Sequence, residues 1–375
     1  MPTYAHAMLR EIHEQPDAAR RTLVLYCDAE SLRRDAWQPV RDSFSASVPV
    51  VIAASGSSRH SGLAAEIMLE DLAAATVDVE YASEYATRPL SASVGGSLIT
   101  LSQSGETSDT LAALRLARSR GLRTLAITNH AASTLATEAS VSLPLAAGPE
   151  LAIPATKSFL CQLIVLSLLT LHEAQQRQTL TPAQIAARLA ELHALPDLLA
   201  AQLDPWQASV TAIAGRYQDA QTFLYLGRGI HYAIAREGAL KLKESAYVHA
   251  EAYPSGELRH GPNALVSDTV PLVVLATVDP DLEDSVLRYR KTLQTLTELR
   301  TQQARVIAIA NRDDDAVRSR ATDCIFVEPL SEYLLPAAEV VPLQIFAYQM
   351  ALARGIDMDH PRHLQKAVIE QGESR

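Results

Sequence analysis

Cysteine is scarce in this 375-residue chain, which has three: Cys27, Cys161 and Cys324. They lie far apart with no metal-ligand spacing. That excludes a disulfide framework or a CxxC redox pair and fits a reducing cytoplasm. Positive charge is also short, with 33 Lys and Arg against 43 Asp and Glu and a formal charge of −10. A general nucleic-acid binder needs clustered cations, so no nucleic-acid partner is expected. Long apolar runs are missing too. The longest, Phe159 to Leu171, is broken by Gln162 and Ser167; it is too short to span a bilayer and reads as a buried helix. The opening MPTYAHAMLREIHEQP is polar and carries acids early, unlike a secretory signal, so a cytoplasmic chain with no membrane partner is expected. No GxxxxGKS/T, HExxH or GxSxG occurs, which removes Walker-type nucleotide sites, zinc proteases and serine hydrolases. What is present is ordinary globular composition, 48% hydrophobic and 20% charged, at a length sufficient for two domains with separate cores.

Short β-rich runs alternate with Ala/Leu-rich amphipathic stretches. VPVVIAAS (48–55), VDVEYAS (77–83), SLITLSQS (97–104) and RTLAITN (123–129) read as strands, with SGLAAEIMLEDLAAA and SDTLAALRLARSRG between them at helical spacing. The alternation predicts βαβ units and a parallel sheet. It recurs at TFLYLGRG (222–229), PLVVLATVD (271–279), ARVIAIANR (304–312) and CIFVEPL (324–330). Laid on one another, the halves set Gly56 on Gly227, His60 on His231 and Glu66 on Glu237. The expected fold class is α/β, with one unit present twice. The boundaries read as a leading helical segment over 1–45, a first domain over 46–175, connecting helices over 176–207, a second domain over 208–345 and a tail over 346–375.

LSQSGETSDT (101–110) crowds Ser102, Ser104, Thr107 and Ser108 into the turn between a strand and a helix. A helix N-terminus has free N–H donors and the positive end of the dipole, which suits an anion. Plain N-capping is the alternative, but one hydroxyl would suffice for it, so phosphate binding is favoured. ASGSSRHSG (54–62) repeats the pattern with Ser55, Ser57 and Ser58. Such loops converge at the carboxyl edge of an open α/β sheet, so one phosphate held by both is expected. Neither loop is G-x-G-x-x-G, which favours a phosphomonoester over a dinucleotide.

The most chemically loaded segment is EGALKLKESAYVHAEAYPSGELRHGP (237–262). Glu237, Lys241 and Glu244 fall at i, i+4 and i+7 on one helix face, while Lys243 points elsewhere. SGELRHGP reads as a loop presenting His260. A carboxylate, an ammonium and an imidazole brought together can move protons on a sugar carbon framework. The same spacing also describes a solvated Glu/Lys ladder, and spacing alone leaves both readings open. His231 and His249, with Glu251, have no metal-ligand spacing, and a structural role is favoured for them.

SQSGETSDT, ASEYATRP, GPELAIPATKSF, EGALKLKESAYVHAEAYPSGELRHGP and DMDHPRHLQKAVIE, in this order, resemble the isomerase part of the glucosamine-6-phosphate synthase family. That part consists of two sugar isomerase (SIS) domains. HAMLREIHEQPDA resembles the segment leading into it, so the resemblance covers nearly the whole chain. It implies two tandem SIS domains of flavodoxin-like type, each a mainly parallel sheet flanked by helices. It implies phosphate binding by Ser102, Gln103, Ser104, Thr107 and Ser58, and a substrate contact at Ile153. Glu244 matches the base that shuttles a proton between C1 and C2, Lys241 a lysine beside it, and Glu237 its supporting acid. His260 matches the ring-opening residue, which the family supplies from the partner of a homodimer. Lys366 matches the lysine that forms a Schiff base with the open-chain ketose, in a tail that closes over the site. No metal or organic cofactor is implied, because side chains supply both the Schiff base and the proton shuttle.

Two departures shape the expected function. The family's glutaminase domain, with its N-terminal nucleophilic cysteine, is missing, and Pro154-Ala155 stands where the family has a small residue and a substrate-holding serine. The expectation is a glucosamine-6-phosphate deaminase built on the synthase scaffold. The alternatives are another aldose–ketose phosphate isomerase, an amine deglycase, or a sugar-phosphate sensor without turnover. The first 45 residues are too short and too acidic for the DNA-binding helices that accompany SIS regulators.

Overall fold

The computed structural model describes residues 4–44, 48–88 and 96–366. The end of the expected tail, 367–375, and Pro89 of the ASEYATRP motif lie outside the described residues. The chain divides into two compact units. One comprises Glu14–Glu150, Lys157–Pro196 and the segment from Gln365; the other comprises the chain up to His13, Leu151–Thr156 and Asp197–Leu364.

The first unit is built on β1 (Val50–Ala54), β2 (Val77–Tyr81), β3 (Ser97–Ser102), β4 (Arg123–Thr128) and β5 (Val141–Pro144). All pair in parallel, in the order β2-β1-β3-β4-β5. The second is built on β6 (Thr222–Gly227), β7 (His249–Pro254), β8 (Leu272–Leu275), β9 (Val306–Asn311) and β10 (Asp323–Val327), parallel in the order β7-β6-β8-β9-β10. The two orders are the same, so the expected pair of α/β units is present. In each, the order reverses beside the first strand, the point at which open parallel sheets form a crevice at their carboxyl edge. β3 and β9 are buried at every position, as strands covered on both faces must be.

One long helix packs each sheet's core. Lys157–Arg177 is buried without a break from Lys157 to Leu166 and lies against the helix Gly56–Ala73. It is long and apolar enough to cross a bilayer, but nearly all of its apolar window is buried inside the fold. In the other unit, Leu335–Ala353 lies against Ile230–Ala246. Gly238 permits that approach, since a Cβ there would stand 2.9 Å from both Leu343 and Tyr225. Residues 346–353, read from the sequence as tail, belong to this buried helix. The connecting region is one helix, Pro182–Tyr217.

The repeat is real in topology but shifted in register. Gly56, at φ +54°, matches Gly229, at φ +55°, rather than Gly227. Gly227 ends β6, and a Cβ on it would lie 2.5 Å from the His231 carbonyl oxygen. Each of these glycines lies two positions past the end of its strand, and with them matched His60 falls on Ala233 rather than on His231.

Candidate active site

In the unit of the first sheet, Ser102 ends β3 nearly buried and gathers its neighbours around one hydroxyl. Its Oγ lies 3.0 Å from Thr107 Oγ1 and 3.5 Å from Ser104 Oγ, and it accepts a hydrogen bond from the Gly105 amide at 3.0 Å. Ser104 Oγ accepts from the Glu106 amide at 3.2 Å. Gly105, at φ +70°, permits the turn, since a Cβ there would fall 2.1 Å from Ser133 Oγ. Thr107 is the N-cap residue of the helix Ser108–Ser119, yet its side chain makes no capping bond. Ser133, by contrast, accepts from the Ala136 amide and caps the next helix. The capping reading of this turn therefore does not hold for Thr107. Its hydroxyl faces the other two, beside the free N–H groups of a helix start, an arrangement that can take an anion. Gln103 is half-buried in the same turn.

Ser58 lies in the first turn of Gly56–Ala73 and accepts from Gln162 Nε2 at 2.8 Å, while Ser61 Oγ donates to Gln162 Oε1 at 3.0 Å. Gln162 fixes both hydroxyls from inside the core helix. It was visible in the sequence only as a polar interruption of the longest apolar run.

In the other unit, Glu237 and Lys241 are both 0% exposed, which excludes the solvated-ladder reading. Lys241 Nζ lies 3.4 Å from Glu237 Oε1 and 2.5 Å from Glu244 Oε2. Burial works against the ammonium, but Glu237 and then Glu244 outweigh it and raise the Lys241 pKa. Glu244 keeps 21% of its side chain exposed, so it is the member of the set that a ligand can reach. Lys243 is exposed, as its spacing required. His260 closes a short 3-10 turn, Glu257–His260, before Gly261 at φ +142°. It is exposed, and no hydrogen bond or ion pair joins it to Glu237, Lys241 or Glu244 among the described residues.

Lys366 donates to Glu150 Oε2 at 2.8 Å. The Glu150 carboxylate is buried and also accepts from the amide and the hydroxyl of Ser158, at 3.0 and 2.7 Å. Burial pushes its pKa up, but Lys366 and Ser158 outweigh that and hold it below the usual range. Ile153 is half-buried in the short segment Leu151–Thr156, whose Leu151 amide donates to the buried Glu11 at 2.6 Å. Glu150, Glu11 and Gln162 were not singled out by sequence reasoning. Glu150 pairs with a lysine 216 positions away, a distance at which no local pattern speaks.

The chain is 42% identical over 368 residues to a glutamine–fructose-6-phosphate aminotransferase (isomerizing) from Symbiobacterium thermophilum, covering 97% of this chain and 59% of that protein. It thus spans about 59% of the length of the curated relatives it matches. The solved C-terminal domain of glucosamine-fructose-6-phosphate aminotransferase from Francisella tularensis is 33% identical, with a TM-score of 0.87 over 96% of this chain and 99% of that one. A glucosamine-6-phosphate deaminase from Thermotoga maritima shares the fold, at 23% identity and a TM-score of 0.71, over 97% of this chain and 100% of that one. The model of the SIS domain matches residues 44–172 and 216–354, one match for each sheet, and the chain belongs to the SIS domain family.

Proposed function

We propose that this chain interconverts an amino-aldose 6-phosphate and a ketose 6-phosphate, and that with water it deaminates D-glucosamine 6-phosphate to D-fructose 6-phosphate and ammonia. The observation that carries the reading is the fully buried Lys241 held between Glu237 and Glu244, with Glu244 the reachable carboxylate. The names of the relatives, aminotransferases that act on fructose 6-phosphate, support the substrate class.

In this reading Ser58, Ser102, Gln103, Ser104 and Thr107 hold the phosphate, and Ile153 lies against the sugar. His260, supplied by the partner of a homodimer, moves the C1 hydroxyl proton to the ring oxygen, so that the C1–O5 bond breaks and C1 becomes the aldehyde. Glu244 removes the proton from C2 and returns it to C1, turning the aldehyde carbon into a carbinol and the C2 amine into a ketimine. Lys241 stays charged beside Glu244 and steadies its carboxylate. The Lys366 amine attacks C2 and ammonia leaves; water then adds to C2, releasing the ketose and freeing the lysine. Glu150 holds that lysine in place.

The test is ammonia release from glucosamine 6-phosphate by wild type and Glu244→Gln. The variant should lose about 10²–10⁴-fold in kcat while still binding the sugar phosphate. Mixing Glu244→Gln with His260→Ala chains should restore partial activity, because a mixed dimer contains one intact pair. No ammonia from folded wild type would end the deaminase reading. Proton exchange at C1/C2 of a ketose phosphate in its place would leave an isomerase.

A further inference from the structure

We propose that the carboxyl edge of the second sheet holds a separate phosphate-binding site, formed by Arg228, Arg259 and Ser255. Arg228 follows β6, and its guanidinium spreads over Gly256, where an added Cβ would lie 3.5 Å from Nη1 and 3.8 Å from Nη2. Its Nε is buried and has no hydrogen-bond partner. No carboxylate pairs with this half-buried side chain among the described residues. Ser255 ends the β7 turn, with its amide donating to the Gly227 carbonyl at 2.8 Å. Ser255 is only 2% exposed, and its hydroxyl also has no partner. Arg259 stands in the 3-10 turn that Gly256 opens and spends its exposed side on Glu298, with Nε 3.1 Å from Oε2.

Burial, and after it the charge of Arg259, lowers the Arg228 pKa. The two guanidinium charges therefore act on one another, Arg259 already paired with Glu298 and Arg228 with no carboxylate among the described residues, and the unpartnered Ser255 hydroxyl and Arg228 N–H belong to the same edge of the sheet. Leaving such groups unpaired is costly, because burial removes the water that would otherwise satisfy them. A phosphate dianion answers these terms: its charge offsets Arg228, which has no carboxylate partner, its oxygens accept from the arginine fork, and Gly256 offers no side chain to block it. The place lies on the β7 side of β6. The other side, facing β8, is filled by His231, Thr277 and Glu339, with Thr277 Oγ1 3.4 Å from His231 Nδ1.

The experiment is calorimetric titration of the full chain with inorganic phosphate and with glucosamine 6-phosphate. The first-sheet cradle is disabled by Ser104→Ala and Thr107→Val, and Arg228→Gln is then added. The cradle-disabled chain should still bind one equivalent, and Arg228→Gln should weaken it by about tenfold or more. Arg228→Lys keeps the charge but loses the fork. It should fall between the two, and it decides the matter if Arg228→Gln does not fold by near-ultraviolet circular dichroism. Tighter binding of the sugar phosphate would mark a phosphomonoester site, and equal binding a site for free phosphate. A cradle-disabled chain that binds neither, or Arg228 variants that bind as well as their parent, would overturn the proposal.

Discussion

Lys241 is a side chain whose cost decides its meaning. An ammonium with no exposure is tolerated only where carboxylates and hydrogen bonds replace water, and here Glu237 and Glu244 do so from the same helix face. Since its pKa is raised, Lys241 stays charged at neutral pH and cannot serve as the base. Under the proposed function that role falls to Glu244, whose side chain is partly exposed. Removing the lysine strands the buried Glu237. Lys241→Met should therefore cost about 3–5 kcal/mol in urea denaturation, and Lys241→Met with Glu237→Leu should recover much of it. A single variant within about 1 kcal/mol of wild type would mean that the pair is not held out of water.

At the scale of elements, the helix Lys157–Arg177 joins packing to the proposed phosphate cradle. Its apolar residues fill the core, and one amide, Gln162, reaches out to Ser58 and Ser61. Gln162→Leu should leave the fold stable, because leucine suits that core. Phosphate affinity should fall roughly 5–10-fold, as Ser58 loses the group that orients it. Unchanged affinity by calorimetry would remove Ser58 from the cradle. The same scale explains what was legible in the sequence. Strands such as SLITLS and VIAIAN are buried throughout and announce themselves as apolar runs. β7, HAEAYP, is an edge strand with only Ala250 fully buried, and β5, VSLP, is a four-residue edge strand; neither carries enough apolar signal to be read. The hydroxyl turn and the Glu237/Lys241/Glu244 face were legible because each lies within one turn or one helix. Glu150 with Lys366, and Arg228 with Ser255, were not, because folding rather than spacing makes them neighbours.

Across the whole molecule, one strand order has been used twice and furnished differently. The first sheet's crevice carries hydroxyls, whereas the second carries an ion network around His231. Its Nδ1 lies 2.7 Å from Glu339 and its Nε2 3.4 Å from Glu332. Glu332 also accepts from Arg288 at 2.7 Å and from Ser285, and Thr277 bonds Glu339. Burial disfavours the imidazolium, but Glu339 and Glu332 overcome it and raise the His231 pKa from 6.5 to about 10. A group raised on folding contributes stability that is fully present below its unfolded value. That contribution is lost as pH climbs through the folded one. Thermal stability of wild type should therefore decline between about pH 6.5 and pH 10, by a few kcal/mol in all, before most lysines titrate. His231→Gln should be less stable at neutral pH and flatter across this window, because it has no proton to lose there. Melts recorded at half-unit pH steps separate the cases: parallel slopes for the two proteins would show that the imidazole between Glu339 and Glu332 is neutral in the fold, and that the second sheet is not locked by charge.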